Sequence, residues 1–133
     1  MDDVVAADEQ ITRFLVHSNE FRRGQNRVDY AAFMPDQRGE KSVYRTSGLN
    51  AEQIRDIGFQ HVENENRRMK GEGRVLARAI FAAGLTVEPA PKPHPRHANI
   101  RGYQSERAAN RNAAQKIAQA AELVLYDLPH EQR

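Results

Sequence analysis

Prolines stand at positions 89, 91, 93 and 95. Proline has no amide hydrogen and a fixed φ, so neither a helix nor a central strand can cross this stretch, and the alternation favours a stiff polyproline arm. Regular structure must form before Pro89 or after Pro95. A length of 133 residues fits one domain, since two independent cores would each be uncomfortably small. The chain has no cysteine, which excludes a disulfide framework, a thiolate zinc site and a cysteine nucleophile. No apolar run approaches the roughly 20 residues that span a bilayer, and the acidic first residues are unlike a signal peptide. The expectation is a cytoplasmic domain without membrane contact.

Upstream of the prolines, Ile11 to His17 alternates as a strand does. Ser18 to Arg27 reads as an exposed basic loop, Val28 to Met34 as a second strand stopped by Pro35, and Ser42 to Thr46 as a third after a Pro35–Gly39 turn. Three consecutive strands suggest an antiparallel meander. Asn50 and Gln53 form a capping-box pattern ahead of Ile54 and Ile57, and Gly58 either ends that helix or lies inside it. His61 to Gly73 is polar, a helix extension or a loop. Val75, Leu76, Ala79, Ile80 and Ala83 recur at helical spacing, predicting a helix over Arg74–Ala83 that stops at Gly84. Thr86-Val87-Glu88 is a short strand.

Downstream, His97 to Ile100 reads as a strand. A long helix follows, capped by Ser105, with Ala109, Ala113, Ile117, Ala120, Ala121 and Val124 on one face and Leu123 to Tyr126 closing it. The order implies an α+β fold: one domain, with an antiparallel or mixed sheet of about four to five strands and two to three helices mainly on one face. The domain spans residues 11–126, between an acidic flexible tail at 1–10 and a C-terminal tail at 127–133.

Charge is unevenly distributed. Asp2, Asp3, Asp8 and Glu9 make the first ten residues −4, and Asp127, Glu131 and Arg133 make the last seven −1, so a total of +2 conceals +7 on residues 11–126. Arginine outnumbers lysine 16 to 4, which suits phosphate and stacked-base partners, although codon usage that enriches arginine and alanine together gives the same skew. The basic residues concentrate in three segments, 13–27, 67–78 and 92–111. Converging on one face, with Tyr30, Tyr44 or Tyr103 to stack on bases, they make a phosphate-tracking surface; scattered, they only solubilise.

Several side chains have the chemistry for a site. On a strand, His97, Asn99 and Arg101 share one face: a proton carrier, an orienting carboxamide and an anion clamp. Arg45 shares a face with Val43, unusual for a guanidinium unless it is paired or holds a ligand. Lys70-Gly71-Glu72-Gly73-Arg74, ahead of a predicted helix, offers amides to a phosphate with Arg67, Arg68 and Arg74 beside it, although neither a P-loop nor a dinucleotide fingerprint is present. His94 and His97, three apart on an extended segment, lack metal-ligand geometry, and no metal or cofactor is expected.

The segments Arg13–His17, Ala32–Pro35, Ser42–Leu49 and His97-Ala98-Asn99-Ile100-Arg101-Gly102-Tyr103 resemble a group of short uncharacterised bacterial proteins that end the last motif in Gly-Trp. Tyr103 replaces that tryptophan here. The resemblance covers roughly residues 11–126; it implies a shared single-domain fold, directs attention to Arg45, His97 and Asn99, and brings no activity. The functional expectation is a binding module that engages nucleic acid or another polyanion through Arg45, Arg67, Arg68, Arg74, Arg96, Arg101 and Tyr103, in a mobile-element or defence setting. Whether the chain is an enzyme is left open. Two alternatives stand beside that expectation: a phosphoester- or nucleotide-acting enzyme with His97 as general acid/base, Asn99 as orienter and Arg45 or Arg101 as anion clamp converging in one pocket, and a protein-interaction module using the Pro89–Pro95 arm.

Overall fold

A computed structural model of the chain describes residues 3–126. In chain order the elements are β1 (Gln10–Leu15), a ribbon of β2 (Phe21–Arg22) and β3 (Arg27–Val28), β4 (Lys41–Arg45), α1 (Ala51–His61), β5 (Gly71–Leu76), α2 (Ala77–Ala82), β6 (Thr86–Pro89), β7 (His97–Arg101), α3 (Arg107–Ala120) and β8 (Glu122–Leu125). Six strands form one antiparallel sheet in the order β6-β7-β4-β1-β5-β8, and β2 and β3 pair with each other. The fold is α+β as expected, but the main sheet has six strands rather than four to five.

In central β1, Ile11 and Leu15 face one side and Thr12 and Phe14 the other, all buried. Such a strand needs cover on both faces. Ile11, Leu15, Val43, Val75, Ala98 and Ile100 pack against α2, α3 and a 3-10 turn, Tyr30–Phe33. Phe14 and Tyr44 face the other way, against Ile54 and Ile57 of α1, with Met69 and Tyr126. Gly58 lies inside α1 because the helix sits directly on the sheet: a Cβ there would be 2.6 Å from Met69 Cε and 2.8 Å from Phe14 Cδ1. The expected capping box starts this helix, with Gln53 N–H donating to Asn50 Oδ1 (2.8 Å) and Asn50 N–H donating to Gln53 Oε1 (2.9 Å).

Several local expectations are overturned. Instead of a three-strand meander, β1 lies between β4 and β5. The strand expected over Val28–Met34 ends after Val28, where Asp29 caps the 3-10 turn by accepting from Ala31 N–H (3.0 Å). The helix expected from Arg74 begins at Ala77, and the Gly71–Arg74 run is strand rather than a phosphate-cradling loop. Its glycines serve close approach: a Cβ on Gly71 would sit 2.5 Å from the Val124 carbonyl oxygen, and one on Gly73 3.2 Å from Val28 Cγ2. Leu123 to Leu125, expected to close the last helix, belong to β8 and pair with β5.

That helix, α3, starts at Arg107 with Glu106 at its N-cap and no capping side chain, so Ser105 is not its cap. Its buried stripe is Asn110, Ala114, Ile117 and Ala118, rotated from the expected one because Asn110 turns inward to Gln104, accepting from its N–H (2.7 Å) and donating to its carbonyl (2.9 Å). The acidic first segment is built into the domain from Val5 onward. Val5 is buried, Ala77 N–H donates to the Glu9 carbonyl (2.9 Å) and Arg78 N–H to that of Ala7 (2.8 Å). The expected tail at 127–133, like Met1 and Asp2, lies outside the described residues.

Candidate functional site

β1 and β4 pair at only two register positions, Ile11↔Arg45 and Thr12↔Tyr44. Beyond Thr12, Arg13 takes over from the missing ladder, its Nη1 donating to the Ser42 carbonyl (3.1 Å) and its Nη2 to Glu20 Oε2 (3.3 Å). Glu20 is itself buried and accepts from the Val16 and His17 amides at 2.9 Å each, so the carboxylate that steadies Arg13 is fixed by backbone. The Arg13 Nε is buried without a hydrogen-bond partner, the one such side-chain atom among the described residues. A guanidinium has five donors, and two of Arg13's are met by the protein.

At this fork lies a pocket of about 90 Å³ lined by Arg13, Ser42, Tyr44, His61 and Arg67, with Phe14 and Val62. Its size suits one phosphate- or carboxylate-sized group, well short of the few hundred Å³ of a drug-sized site. The electrostatics are positive. Burial pushes the Tyr44 phenol above its ordinary range, while the nearby Arg13 and Arg67 cations pull the other way. Tyr44 is also the hub of an aromatic cluster, with Phe14 at 5.5 Å, His97 at 5.2 Å and His94 at 5.9 Å between ring centroids, and His61 at 4.8 Å from His94. His94 Nδ1 accepts from Arg96 N–H (3.0 Å), and burial, followed by the His61 and Arg96 charges, lowers its pKa.

His97 lies opposite Tyr44 on β7 and reaches diagonally across to Ser42, with its Nε2 2.7 Å from Ser42 Oγ. The other ring nitrogen, Nδ1, is 3.0 Å from the Ala90 carbonyl oxygen. A carbonyl oxygen only accepts, so Nδ1 carries the proton; in the neutral ring Nε2 holds the lone pair, and Ser42 Oγ–H donates to it. Asn99 is half-buried opposite Ser42, between it and Glu88 in the sheet register.

The other arginines singled out in the sequence do not gather here. Arg45 points to the opposite face, 3% exposed, in a two-point ion pair with Glu9 (Nε–Oε1 and Nη2–Oε2, both 2.8 Å) that holds the Glu9 carboxyl below its usual range. It therefore cannot serve His97 as an anion clamp. Arg74 pairs with Glu72 (2.7 Å), and Arg101 with Glu40 (2.6 Å) and Glu88 (3.4 Å). Arg96 Nη1 donates to the carbonyls of Arg45 (3.1 Å) and Ser47 (3.4 Å), tying the exit of β4. Tyr103 donates its hydroxyl to the Phe33 carbonyl (2.7 Å), and burial raises its pKa, so that phenol anchors the 3-10 turn. Arg68 is exposed, and Arg67 alone of the named arginines lines the pocket. Among the described residues no group of three or more His, Asp or Glu is placed to share a metal ion.

Ser42 escaped the sequence reading as a chemical group. Its alternation with Tyr44 is visible in the sequence, but its partner lies 55 residues away and meets it only through the β4–β7 pairing.

A second concavity, of about 730 Å³, runs between the ribbon and α3, lined by Arg22, Asn26, Arg27, Tyr30, Gln115 and Gln119 among others. Arg22 pairs there with Asp29 (3.0 Å), and the Arg111 guanidinium lies 5.8 Å from the Tyr30 ring centre.

No protein-family model matches this chain, and no curated protein or solved structure matches it.

Proposed function

We propose that the chain binds a phosphate-bearing ligand in the pocket at the β1–β4 fork, with Arg13 and Arg67 supplying the charge and Ser42 and Tyr44 supplying neutral hydrogen-bonding groups. The observation that carries this is the convergence of two guanidiniums on a pocket of one-phosphate size, with Arg13 held in place by buried Glu20. Each charge-assisted hydrogen bond to an anion contributes about 1.5–3 kcal/mol, so losing Arg67 should weaken binding by roughly ten- to a hundredfold. Arg67 is exposed and stands in none of the ion pairs among the described residues, so its removal should spare the fold. Titration calorimetry with inorganic phosphate and with a nucleoside monophosphate, on the wild type, Arg67→Gln and Arg67→Glu, tests this. Equal affinity across the three proteins would refute it, and tighter binding of the nucleotide would favour a ligand larger than the anion.

A second reading keeps the broader expectation of a polyanionic chain, now placed on the ribbon–α3 groove. Arg22 and Arg27 line it with the single carboxylate Asp29 and amide side chains, and Arg111 lies over Tyr30 at its wall. Binding of a mixed-sequence single-stranded oligonucleotide should then fall steeply with salt and weaken in Arg27→Ala. No binding at roughly 50 mM salt would exclude it.

A further inference from the structure

We propose that Ser42 and His97 form a nucleophile–base pair, making the pocket a site of phosphoester hydrolysis through a phosphoserine intermediate. The proposal rests on the phosphate-pocket assignment and adds chemistry to it. Three observations support it. The Ser42 Oγ to His97 Nε2 distance is 2.7 Å, hydrogen-bond reach for proton transfer. The Ala90 carbonyl on Nδ1 fixes the tautomer that leaves Nε2 as the base, so nucleophile, base and orienting group are all present. Ser42 also lines the cavity in which Arg13 and Arg67 would hold the phosphoryl oxygens, while His97 approaches the same serine along the sheet.

The sheet accounts for this arrangement. β4 pairs with β7 from Lys41 to Tyr44 but with β1 only at Tyr44 and Arg45, so Ser42 has a strand on one side and the fork on the other. A serine on a continuous sheet face would lack that opening. His61, on the wall of the same pocket, can serve as the acid.

In the first step Ser42 Oγ attacks phosphorus and its proton passes to His97 Nε2. The bond from phosphorus to the leaving oxygen breaks, and that oxygen takes a proton from the His61 imidazolium to depart as an alcohol. In the second step water attacks phosphorus and gives its proton to His61, the phosphorus–Oγ bond breaks, and His97 returns a proton to the departing Ser42 Oγ. Phosphate and the starting enzyme result, and water is the only co-reactant. The substrate class is a phosphoester whose terminal phosphoryl group enters the pocket while its alcohol stays outside, because about 90 Å³ accommodates the former alone.

The test is covalent labelling by diisopropyl fluorophosphate, which reports serine activation without needing the natural substrate. Peptide mass spectrometry should find the label on Ser42 and not on Ser18, Ser47 or Ser105. Ser42→Ala should abolish it, and His97→Gln should slow it by about a hundredfold or more. Inorganic phosphate should protect Ser42, and wild type should release nitrophenol from p-nitrophenyl phosphate while Ser42→Ala does not. Thermal unfolding of His97→Gln shows whether that variant is folded; if it is not, selectivity for Ser42 among the four serines of the wild type decides. Phosphate binding without labelling of Ser42 overturns the dyad and leaves the binding pocket standing. Labelling equally fast in folded His97→Gln overturns the role of the base, and labelling with no phosphate binding overturns the pocket instead.

Discussion

The buried carboxylate of Glu72 supports a quantitative prediction about the half of the sheet that is hardest to read from sequence. Glu72 is 1% exposed on β5, where Oε1 accepts from Arg74 Nε (2.7 Å) and Oε2 from the Tyr126 hydroxyl (2.5 Å). Tyr126→Phe deletes that hydroxyl and little else, since stacking on Phe59 (5.9 Å) and the Arg55 guanidinium over the ring (5.0 Å) both survive in phenylalanine. A hydrogen bond to a charged group is worth about 1.5–3 kcal/mol and one between neutral partners about 0.5–1.5. For a chain of this size 1 kcal/mol moves Tm by roughly 3–5 °C, so Tyr126→Phe should lower Tm by about 5–15 °C. Tyr103→Phe provides the internal comparison. Its hydroxyl donates to the neutral Phe33 carbonyl (2.7 Å) in a similarly buried place, so that variant should lose about 2–8 °C. Urea unfolding at neutral pH, with calorimetry as a second measure, reads both. If Tyr126→Phe costs under about 0.5 kcal/mol, or Tyr103→Phe costs more than Tyr126→Phe, the inference that a charged acceptor dominates here is wrong.

Three further substitutions follow from local geometry. Gly58→Ala gains helix propensity of about 1 kcal/mol but drives a methyl to 2.6 Å from Met69 Cε, so net destabilisation by about 1–3 kcal/mol is expected in denaturant unfolding. Lys41 is partly buried beside Arg13, and burial foremost pulls its amine down to about 8. Between pH 8 and about 10.5 the unfolded chain holds a proton the folded one lacks, so stability rises with pH across that window, and the advantage of Lys41→Met near neutrality should shrink towards pH 10. His94, with its pKa lowered by burial, takes up a proton less readily than the unfolded imidazole does below about 6.5; stability should fall with acid there, and His94→Asn should flatten that slope in pH-dependent melting.

What could be read in the sequence was whatever depends on neighbours along the chain. The Asn50–Gln53 box and the alternation of Ser42 to Thr46 and His97 to Ile100 are local, and α1, β4 and β7 formed where those signals placed them. β5 and β8 were hidden for a physical reason. Gly-Glu-Gly is a poor strand by propensity, and it becomes one because its glycines admit the Val124 carbonyl and the Val28 methyl while Tyr126 and Arg74 satisfy Glu72. Leu-Val-Leu after a helical run fits either period until a partner strand decides. The site divides in the same way: His97 stood out by residue type, whereas Ser42 acquires a role only when β4 and β7 pair.

The arginine excess takes on a different meaning once those pairings are known. A +7 body suggested a broad basic face, yet Glu9, Glu20, Asp29, Glu40, Glu72 and Glu88 each meet an arginine: Arg45 ties in the first segment, Arg101 links β7 to β6 and the entry of β4, and Arg74 pairs within β5. Their charge is neutralised at contact distance, so it adds little to the field a partner meets. What remains concentrated is the fork, where Arg13 and Arg67 both act on Tyr44 and Arg13 also depresses the Lys41 amine. At Lys41 the Arg13 charge lowers the amine pKa while the Glu20 carboxylate beside it raises it, so that amine registers any charge brought to the fork. An anion entering the fork should therefore raise the Lys41 pKa, by adding negative charge near the ammonium. Titrating the Lys41 side chain by NMR with and without phosphate measures that directly, and an unchanged midpoint at saturating phosphate would mean the anion sits elsewhere.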